Sequence, residues 1–130
     1  MANEYILIAE DEGIVAIHLQ SKLISLGYRA TTVSSGEEVL QSIRTRQPDL
    51  ILMDIMLNGQ IDGIETAAKV HQQFPIPVVY LTAYADNDTL QRAKVTNPFG
   101  YILKPFEEGV LRSTIEMALY KYKATRDGSD

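Results

Sequence analysis

The sequence predicts an α/β domain built on a doubly wound parallel sheet with helices on both faces. Five short apolar runs recur along the chain, and longer segments with helical periodicity separate them. The runs are too short for helices, rich in β-branched residues and apolar on both faces, as is typical of strands in a buried parallel sheet. Regular alternation of strands with helices favours parallel pairing, with helices covering both faces.

The predicted strands cover residues 5–9, 30–33, 50–53, 78–81 and 101–103. A five-stranded sheet of this kind is expected to have the flavodoxin-like strand order 2-1-3-4-5. In this order the carboxyl ends of the first, third, fourth and fifth strands lie side by side at one edge of the sheet.

Five helical patterns fill the gaps between these runs, and the fourth, from about residue 86 to 95, is the weakest. One face of the first pattern is marked by Ile14, Ile17, Ser21 and Ile24, and one face of the second by Val39, Leu40 and Ile43. The third pattern is marked by Ile64, Ala67, Ala68, His71 and Phe74, and the fourth by Leu90 and Ala93. The fifth is marked by Leu111, Ile115, Ala118, Leu119 and Tyr122. Ser34 or Ser35 is the expected N-cap of the second helix. Gly27 is expected to end the first helix.

Composition excludes several classes of protein. The 130 residues suffice for one domain, predicted over residues 1–122, with residues 123–130 as a polar tail or the start of a linker. The absence of cysteine excludes disulfides and thiolate metal sites, and fits a cytoplasmic protein. A net charge of -5 without a basic stripe argues against direct nucleic-acid binding. No apolar run is long enough to suggest a membrane span, and no membrane partner is expected.

Chemically active side chains follow four of the predicted strands. Glu10 and Asp11 follow the first strand, Asp54 the third, Thr82 the fourth and Lys104 the fifth. Because sites in open parallel sheets form at the carboxyl ends of the strands, these side chains are expected to converge. A flavin or nucleotide site would place a phosphate-binding loop after the first strand, where this chain is acidic.

Acidic oxygen ligands and a partly open shell favour Mg²⁺, with Mn²⁺ as a substitute. A bound cation reverses the sign of the site, so that Asp54 can attack a phosphoryl donor. Lys104 then offsets charge on the transferred oxygens, and Thr82 can donate its hydroxyl to them.

The chain resembles the receiver domain of two-component response regulators over residues 4 to 122. The matching residues are Glu10-Asp11, Asp54, Asp62-Gly63, Thr82-Ala83 and the run from Gly100 to Phe106 that contains Tyr101, Lys104 and Pro105. The resemblance implies a phosphoacceptor domain served by a sensor histidine kinase or a phosphotransfer protein, and not a conventional enzyme. Slow self-dephosphorylation is expected.

The resemblance also assigns roles to single residues. Asp54 is similar to the phosphoacceptor and Asp11 to the main carboxylate ligand of the metal, with the backbone carbonyl of Met56 as a further ligand. Glu10 replaces the more usual Asp, so its contact with the metal is expected to go through water. Lys104 is similar to the residue that binds the phosphoryl group, and its peptide bond to Pro105 is expected to be cis.

Signal output is predicted from the same resemblance. Thr82 and Tyr101 are similar to the switch pair, and Ala83 is small where the donor must approach. The surface of the fourth helix, fifth strand and fifth helix is the predicted partner or homodimer face, with Arg92, Lys94, Tyr101 and Arg112 on it. The loop Asn58-Gly59-Gln60-Ile61 departs from the family pattern because it is one residue longer and lacks the usual proline.

Three alternatives stand beside this interpretation. A haloacid dehalogenase-type phosphohydrolase would carry a second Asp two residues after the nucleophile, where this chain has Met56. A docking domain could keep the fold without the switch. The domain could also be the receiver module of a longer hybrid protein that contains a histidine kinase or a cyclic-nucleotide enzyme.

Overall fold

The computed structural model describes residues 3–83 and 86–125. In this part of the chain, five strands form one parallel sheet in the order β2-β1-β3-β4-β5. The strands are β1 Tyr5–Ala9, β2 Arg29–Val33, β3 Leu50–Asp54, β4 Val78–Thr82 and β5 Gly100–Leu103. The helices are α1 Gly13–Ser25, α2 Gly36–Thr45, α3 Gly63–Gln73, α4 Asn87–Val95 and α5 Glu108–Ala124. The predicted fold class and strand order are confirmed.

The sheet separates two apolar cores, because successive residues of a strand point to opposite faces. Met53 and Tyr80 belong to one core, which α2, α3 and α4 cover. Leu52 and Leu81 belong to the other core, which α1 and α5 cover. In the observed register Leu52 stands opposite Ile8 on one side and Val79 on the other. The carboxyl ends of β1, β3, β4 and β5 therefore lie next to one another in fixed positions.

The predicted core face of α1 is wrong. Ile14, Ile17 and Ile24 are 86%, 67% and 56% exposed, whereas the buried residues of this helix are Ala16, Leu19 and Leu23. The helix is apolar on nearly all sides, so periodicity alone could not identify the side that faces the sheet. A row of exposed isoleucines remains on its outer surface.

The other helices follow their predicted patterns more closely. Ser35 caps α2 by accepting a hydrogen bond from the Glu38 amide. In α3, Ile64 and Ala67 are buried as predicted. Ala68 and His71 were predicted on the same face, but they are exposed.

The fourth and fifth helices differ in how firmly they are held. In α4 the buried residue is Ala93, and Leu90 is half-buried, which agrees with the weak pattern. In α5 Leu111, Ile115 and Ala118 are buried as predicted. The fifth helix continues to Ala124, beyond residue 122, where the domain is predicted to end. Residues 126–130 of the predicted tail lie outside the described residues.

Candidate functional site

An acidic cluster lies at the carboxyl edge of the sheet. Glu10 and Asp11 directly follow β1, and Asp54 is the last residue of the neighbouring strand β3. One carboxylate oxygen from each residue lies within 4.8 Å of the others. Glu10 is 2% exposed and Asp54 5% exposed, whereas Asp11 is half-buried. The parallel sheet thus brings together three acids that are far apart in the sequence.

Lys104 reaches into this cluster from the end of β5. Its Nζ atom lies 3.0 Å from Asp54 Oδ2, to which it donates a hydrogen bond, and 2.9 Å from Glu10 Oε1. Its backbone amide donates to the Thr82 carbonyl at 2.9 Å, which ties the end of β5 to the end of β4. The peptide bond from Lys104 to Pro105 is cis.

Burial and charge act in opposite directions on these groups. Burial raises the pKa of Glu10, the neighbouring Lys104 ammonium lowers it, and the negative charge of Asp54 raises it. Burial by itself would lower the pKa of Lys104. Interactions with the carboxylates of Glu10 and Asp54 outweigh that effect and raise the pKa of Lys104. The ammonium is therefore held in its charged form by the two acids.

The residues present fit a divalent cation. Glu10 Oε1 is buried and lies near the Lys104 ammonium, but no donor in the described part of the chain is aligned for a hydrogen bond with it. Three carboxylates against one ammonium leave a formal charge of -2 when all are ionised. The carboxylate oxygens are also close enough together to share one cation. Hard oxygen donors of this kind are what Mg²⁺ prefers.

Backbone amides hold two of the carboxylates from the following loop. The Met56 amide donates to Asp54 Oδ1 at 2.9 Å, and the Asn58 amide donates to Asp11 Oδ2 at 2.9 Å. Both bonds leave the second oxygen of each carboxylate for other partners. The loop after β3 therefore orients the acids from β1 and β3 together.

The predicted switch residues lie on the neighbouring strands. Thr82 is buried at the end of β4, and Ala83 follows it at an exposed bend. Tyr101 of β5 is half-buried and stands opposite Tyr80 in the register, with ring centroids 6.1 Å apart. Alternation places Tyr80 and Thr82 on the same face of β4, toward α4.

Tyr80 is a buried polar residue that the sequence reasoning missed. Its hydroxyl lies 2.6 Å from Thr96 Oγ1, which itself donates to the Ala93 carbonyl. Because the Thr96 hydrogen is already used, Tyr80 must be the donor in the first bond. Burial raises the pKa of Tyr80 to about 12. The pair anchors the C-terminal end of α4 to β4.

The predicted output residues do not all lie together. Arg92 of α4 forms an ion pair with Asp62 at 3.0 Å, and Lys94 is exposed on the same helix. Arg112 pairs with Glu116 at 3.5 Å and borders a surface depression with residues from the end of α1. Arg112 therefore lies on the α1 side of α5, away from Arg92 and Lys94.

The fold and the site define a doubly wound α/β domain with an acidic cluster and a lysine at the carboxyl edge of its sheet. The chain matches the response regulator receiver domain model over residues 6–116 and belongs to this family.

Curated relatives support this membership. The chain is 31% identical over 119 residues to the transcriptional regulatory protein PdtaR of Mycobacterium tuberculosis, a match that covers 91% of this chain and 58% of PdtaR. It is 32% identical to the DNA-binding transcriptional regulator NtrC of Klebsiella pneumoniae, over 89% of this chain and 25% of NtrC. The chain thus spans between a quarter and about three fifths of these relatives.

Solved structures share the fold over nearly the whole chain. The signal receiver domain of a modulated diguanylate cyclase from Desulfovibrio desulfuricans is 41% identical, with a TM-score of 0.89 and coverage of 94% of this chain and 98% of that one. The N-terminal domain of a response regulator/sensory box/GGDEF protein from Carboxydothermus hydrogenoformans is 35% identical, with a TM-score of 0.88 and the same coverage of both chains.

Among the described residues, no helix combines the length and apolar composition needed to cross a bilayer.

Proposed function

We propose that this domain receives a phosphoryl group on Asp54 from the phosphohistidine of a kinase or phosphotransfer protein and changes its surface in response. The observation that carries the proposal is the position of Asp54. Its buried carboxylate ends β3, accepts hydrogen bonds from Lys104 and the Met56 amide, and lies beside Glu10 and Asp11. A nucleophile held in one orientation loses little entropy on the way to the transition state.

Asp11, Asp54 and the backbone carbonyl of Met56 would hold Mg²⁺ or Mn²⁺, and Glu10 would contact it through water. The cation would supply charge compensation for the phosphoryl oxygens. Glu10 contributes negative charge within the cluster and pairs with Lys104.

In the transfer step, an Asp54 oxygen bonds to phosphorus while the bond from phosphorus to the donor imidazole breaks. The departing nitrogen keeps the bonding electron pair. Lys104 already lies 3.0 Å from Asp54 Oδ2 and stays close to the oxygens that arrive. Thr82 can donate its hydroxyl to them, and the small side chain of Ala83 leaves room for the donor.

This chemistry makes the domain a receiver of phosphoryl groups and not a conventional enzyme. The haloacid dehalogenase alternative lacks its general acid, because the exposed side chain of Met56 stands where the second Asp is required. A domain with a net charge of -5 is also expected not to bind nucleic acid directly.

A second proposal is that this domain is the receiver module of a longer protein. Two solved relatives belong to a diguanylate cyclase and to a GGDEF protein, and the chain spans only part of its curated relatives. This favours a receiver module that controls an attached effector, such as a cyclic-nucleotide enzyme.

Incubation with acetyl phosphate tests the chemistry directly. We expect intact-mass analysis to show one added phosphoryl group when Mg²⁺ or Mn²⁺ is present and none in EDTA. Asp54→Asn should remove the product, since the amide is a poor nucleophile. An unchanged phosphoryl yield in Asp54→Asn would refute the assignment, and an unmodified wild type with Mg²⁺ present would favour the docking-domain alternative.

The proposed output surface is formed by α4, β5 and α5. Val95, Leu103 and Met117 are large apolar residues exposed on these elements. Lys94 and Tyr101 are its polar members, and this surface is also the proposed homodimer face. Arg92, which pairs with Asp62, would lie at the edge of this surface, and Arg112, which pairs with Glu116, would lie outside its centre.

Movement of Thr82 toward the phosphoryl oxygens would leave space for Tyr101 to turn inward along the Tyr80 ring. The helix α4 is the element expected to shift, because it contributes few buried apolar residues. A phosphoryl group changes this equilibrium only through its differential affinity for the two arrangements.

NMR shift mapping with beryllofluoride, a phosphoryl mimic, tests this route. We expect amide shift changes throughout residues 86–112 in addition to the metal pocket. Thr82→Ala should still bind the mimic, but the changes in α4 and β5 should shrink because the hydroxyl that couples the two regions is gone. Changes confined to the pocket in the wild type would contradict the proposed output surface.

A further inference from the structure

The loop between β3 and α3 is held by a carboxylate outside the acidic cluster. Glu37, in the first turn of α2, accepts a hydrogen bond from the Gln60 amide at 3.1 Å through Oε2. Its Oε1 atom lies 3.0 Å from the position that a Cβ atom at Gly59 would occupy. The carboxylate of Glu37 therefore lies directly against the peptide that joins Gly59 to Gln60.

This loop has backbone freedom that such a contact can limit. Gly59 has a φ of +119°, a region that glycine adopts readily and other residues rarely do. The loop is also one residue longer than the common form and lacks a proline, so more backbone freedom must be lost when it is ordered. A hydrogen bond to a charged acceptor is stronger than one between neutral groups and can limit that freedom before a ligand binds.

The start of α2 is a firm base for this contact. A Cβ atom at Gly36 would lie 2.0 Å from Thr66 Oγ1 and 2.8 Å from Ile61 Cγ1, so α2 packs closely on α3 and on the end of the loop. The neighbouring Glu38 is engaged elsewhere, because it accepts from the Ser34 amide and hydroxyl. Glu37 is thus the acid of this turn that is directed toward the loop.

The loop connects Glu37 to the proposed metal ligands. Two residues before Gln60, the Asn58 amide donates to Asp11 Oδ2 at 2.9 Å, and the Met56 amide donates to Asp54 Oδ1 at 2.9 Å. Three amides spaced two residues apart therefore donate to three carboxylates, of which Glu37 alone lies outside the acidic cluster. Because Asn58 lies two residues from Gln60, a loop that moves at Gln60 is expected to disturb the bond from Asn58 to Asp11.

We propose that Glu37 is a positioning residue for the divalent cation: it fixes the loop after β3 and thereby keeps Asp11 and the Met56 carbonyl in place for Mg²⁺. This inference rests on the proposed function, because it concerns the same metal site. It predicts that the affinity for Mg²⁺ depends on a side chain that does not touch the metal.

Titration of the metal-free protein with Mg²⁺, followed through the amide signals of Asn58 and Gln60, tests the inference. Loss of one hydrogen bond to a charged acceptor predicts that Glu37→Ala raises the Mg²⁺ dissociation constant about three- to tenfold. Glu37→Gln keeps an acceptor oxygen and should stay within about twofold of the wild type. Gly59→Ala disturbs the same contact from the loop side and should weaken binding as Glu37→Ala does.

Glu116→Ala is the matched control, because it removes the same charge from the outer surface of α5. Equal affinities in the wild type and in both Glu37→Ala and Gly59→Ala would overturn the inference. Equal weakening in Glu37→Ala and Glu116→Ala would also overturn it, since a general charge effect would then explain the result. A wild type that binds no Mg²⁺ would instead refute the proposed metal site itself.

Discussion

Removal of the Asp11 carboxylate is expected to abolish the stabilisation that Mg²⁺ gives the folded protein. A cation that binds only the folded state raises the free energy of unfolding by about 2.7 kcal/mol at a hundredfold excess over the dissociation constant. Relief of repulsion among Glu10, Asp11 and Asp54 would lower the dissociation constant and so contribute to this stabilisation. Thermal melts of the wild type with and without Mg²⁺ should differ, whereas those of Asp11→Ala should coincide.

Asp11→Asn separates two consequences of this substitution. In the wild type the Asn58 amide donates to Asp11 Oδ2. An asparagine at position 11 keeps an acceptor for this amide but removes the charge that would bind the cation. We expect Asp11→Asn to lose most of the Mg²⁺ effect as well, while its metal-free melt stays closer to that of the wild type. Full Mg²⁺ stabilisation of Asp11→Ala would show that this residue is not a ligand.

Substitution of Gly63 by alanine is expected to destabilise the metal-free protein strongly. A Cβ atom there would lie 2.0 Å from the Asp54 backbone carbonyl oxygen and 3.0 Å from Ile55 Cα. Both neighbours are backbone atoms, so β3 or α3 must move to relieve the clash. Overpacking of this kind costs about 1–3 kcal/mol and sometimes more. Urea unfolding should therefore show a lower midpoint for Gly63→Ala.

Gly109→Ala is the control for this substitution. Gly109 lies in the first turn of α5, and a Cβ atom there would meet no atom within 4 Å. Alanine favours a helix over glycine by about 0.5–1 kcal/mol, so the midpoint of this variant is expected to rise slightly. A Gly63→Ala midpoint equal to that of the wild type would contradict the close packing of α3 against the end of β3.

The central strands were predicted to within one residue at each end because their pattern has a single physical interpretation. Residues on both faces of these strands are buried, such as Ile51 on one face and Val79 on the other. A continuous apolar run of four or five residues therefore indicates a strand that lies between two layers of helices. The convergence of Asp54 with Lys104 followed from topology, since strand ends in a parallel sheet share one edge.

The rest depended on contacts that leave no local pattern. In α1 a second apolar face, formed by isoleucines, prevented periodicity from identifying the buried face around Leu19 and Leu23. The ion pair between Arg92 and Asp62 joins residues thirty positions apart, and no spacing rule connects them. Glu37 resembles any other acid in the first turn of a helix, and its contact with the loop forms only once α2 and α3 are packed.

The most direct test of the account is to locate the phosphoryl group among the three clustered acids. Borohydride reduces an acyl phosphate to an alcohol, so treatment of the phosphorylated protein followed by peptide sequencing in a mass spectrometer identifies the modified residue. The structure predicts reduction at Asp54, where Lys104 lies 3.0 Å from the carboxylate, with Glu10 and Asp11 unchanged. Reduction at Glu10 or Asp11, with Asp54 intact, would contradict the account.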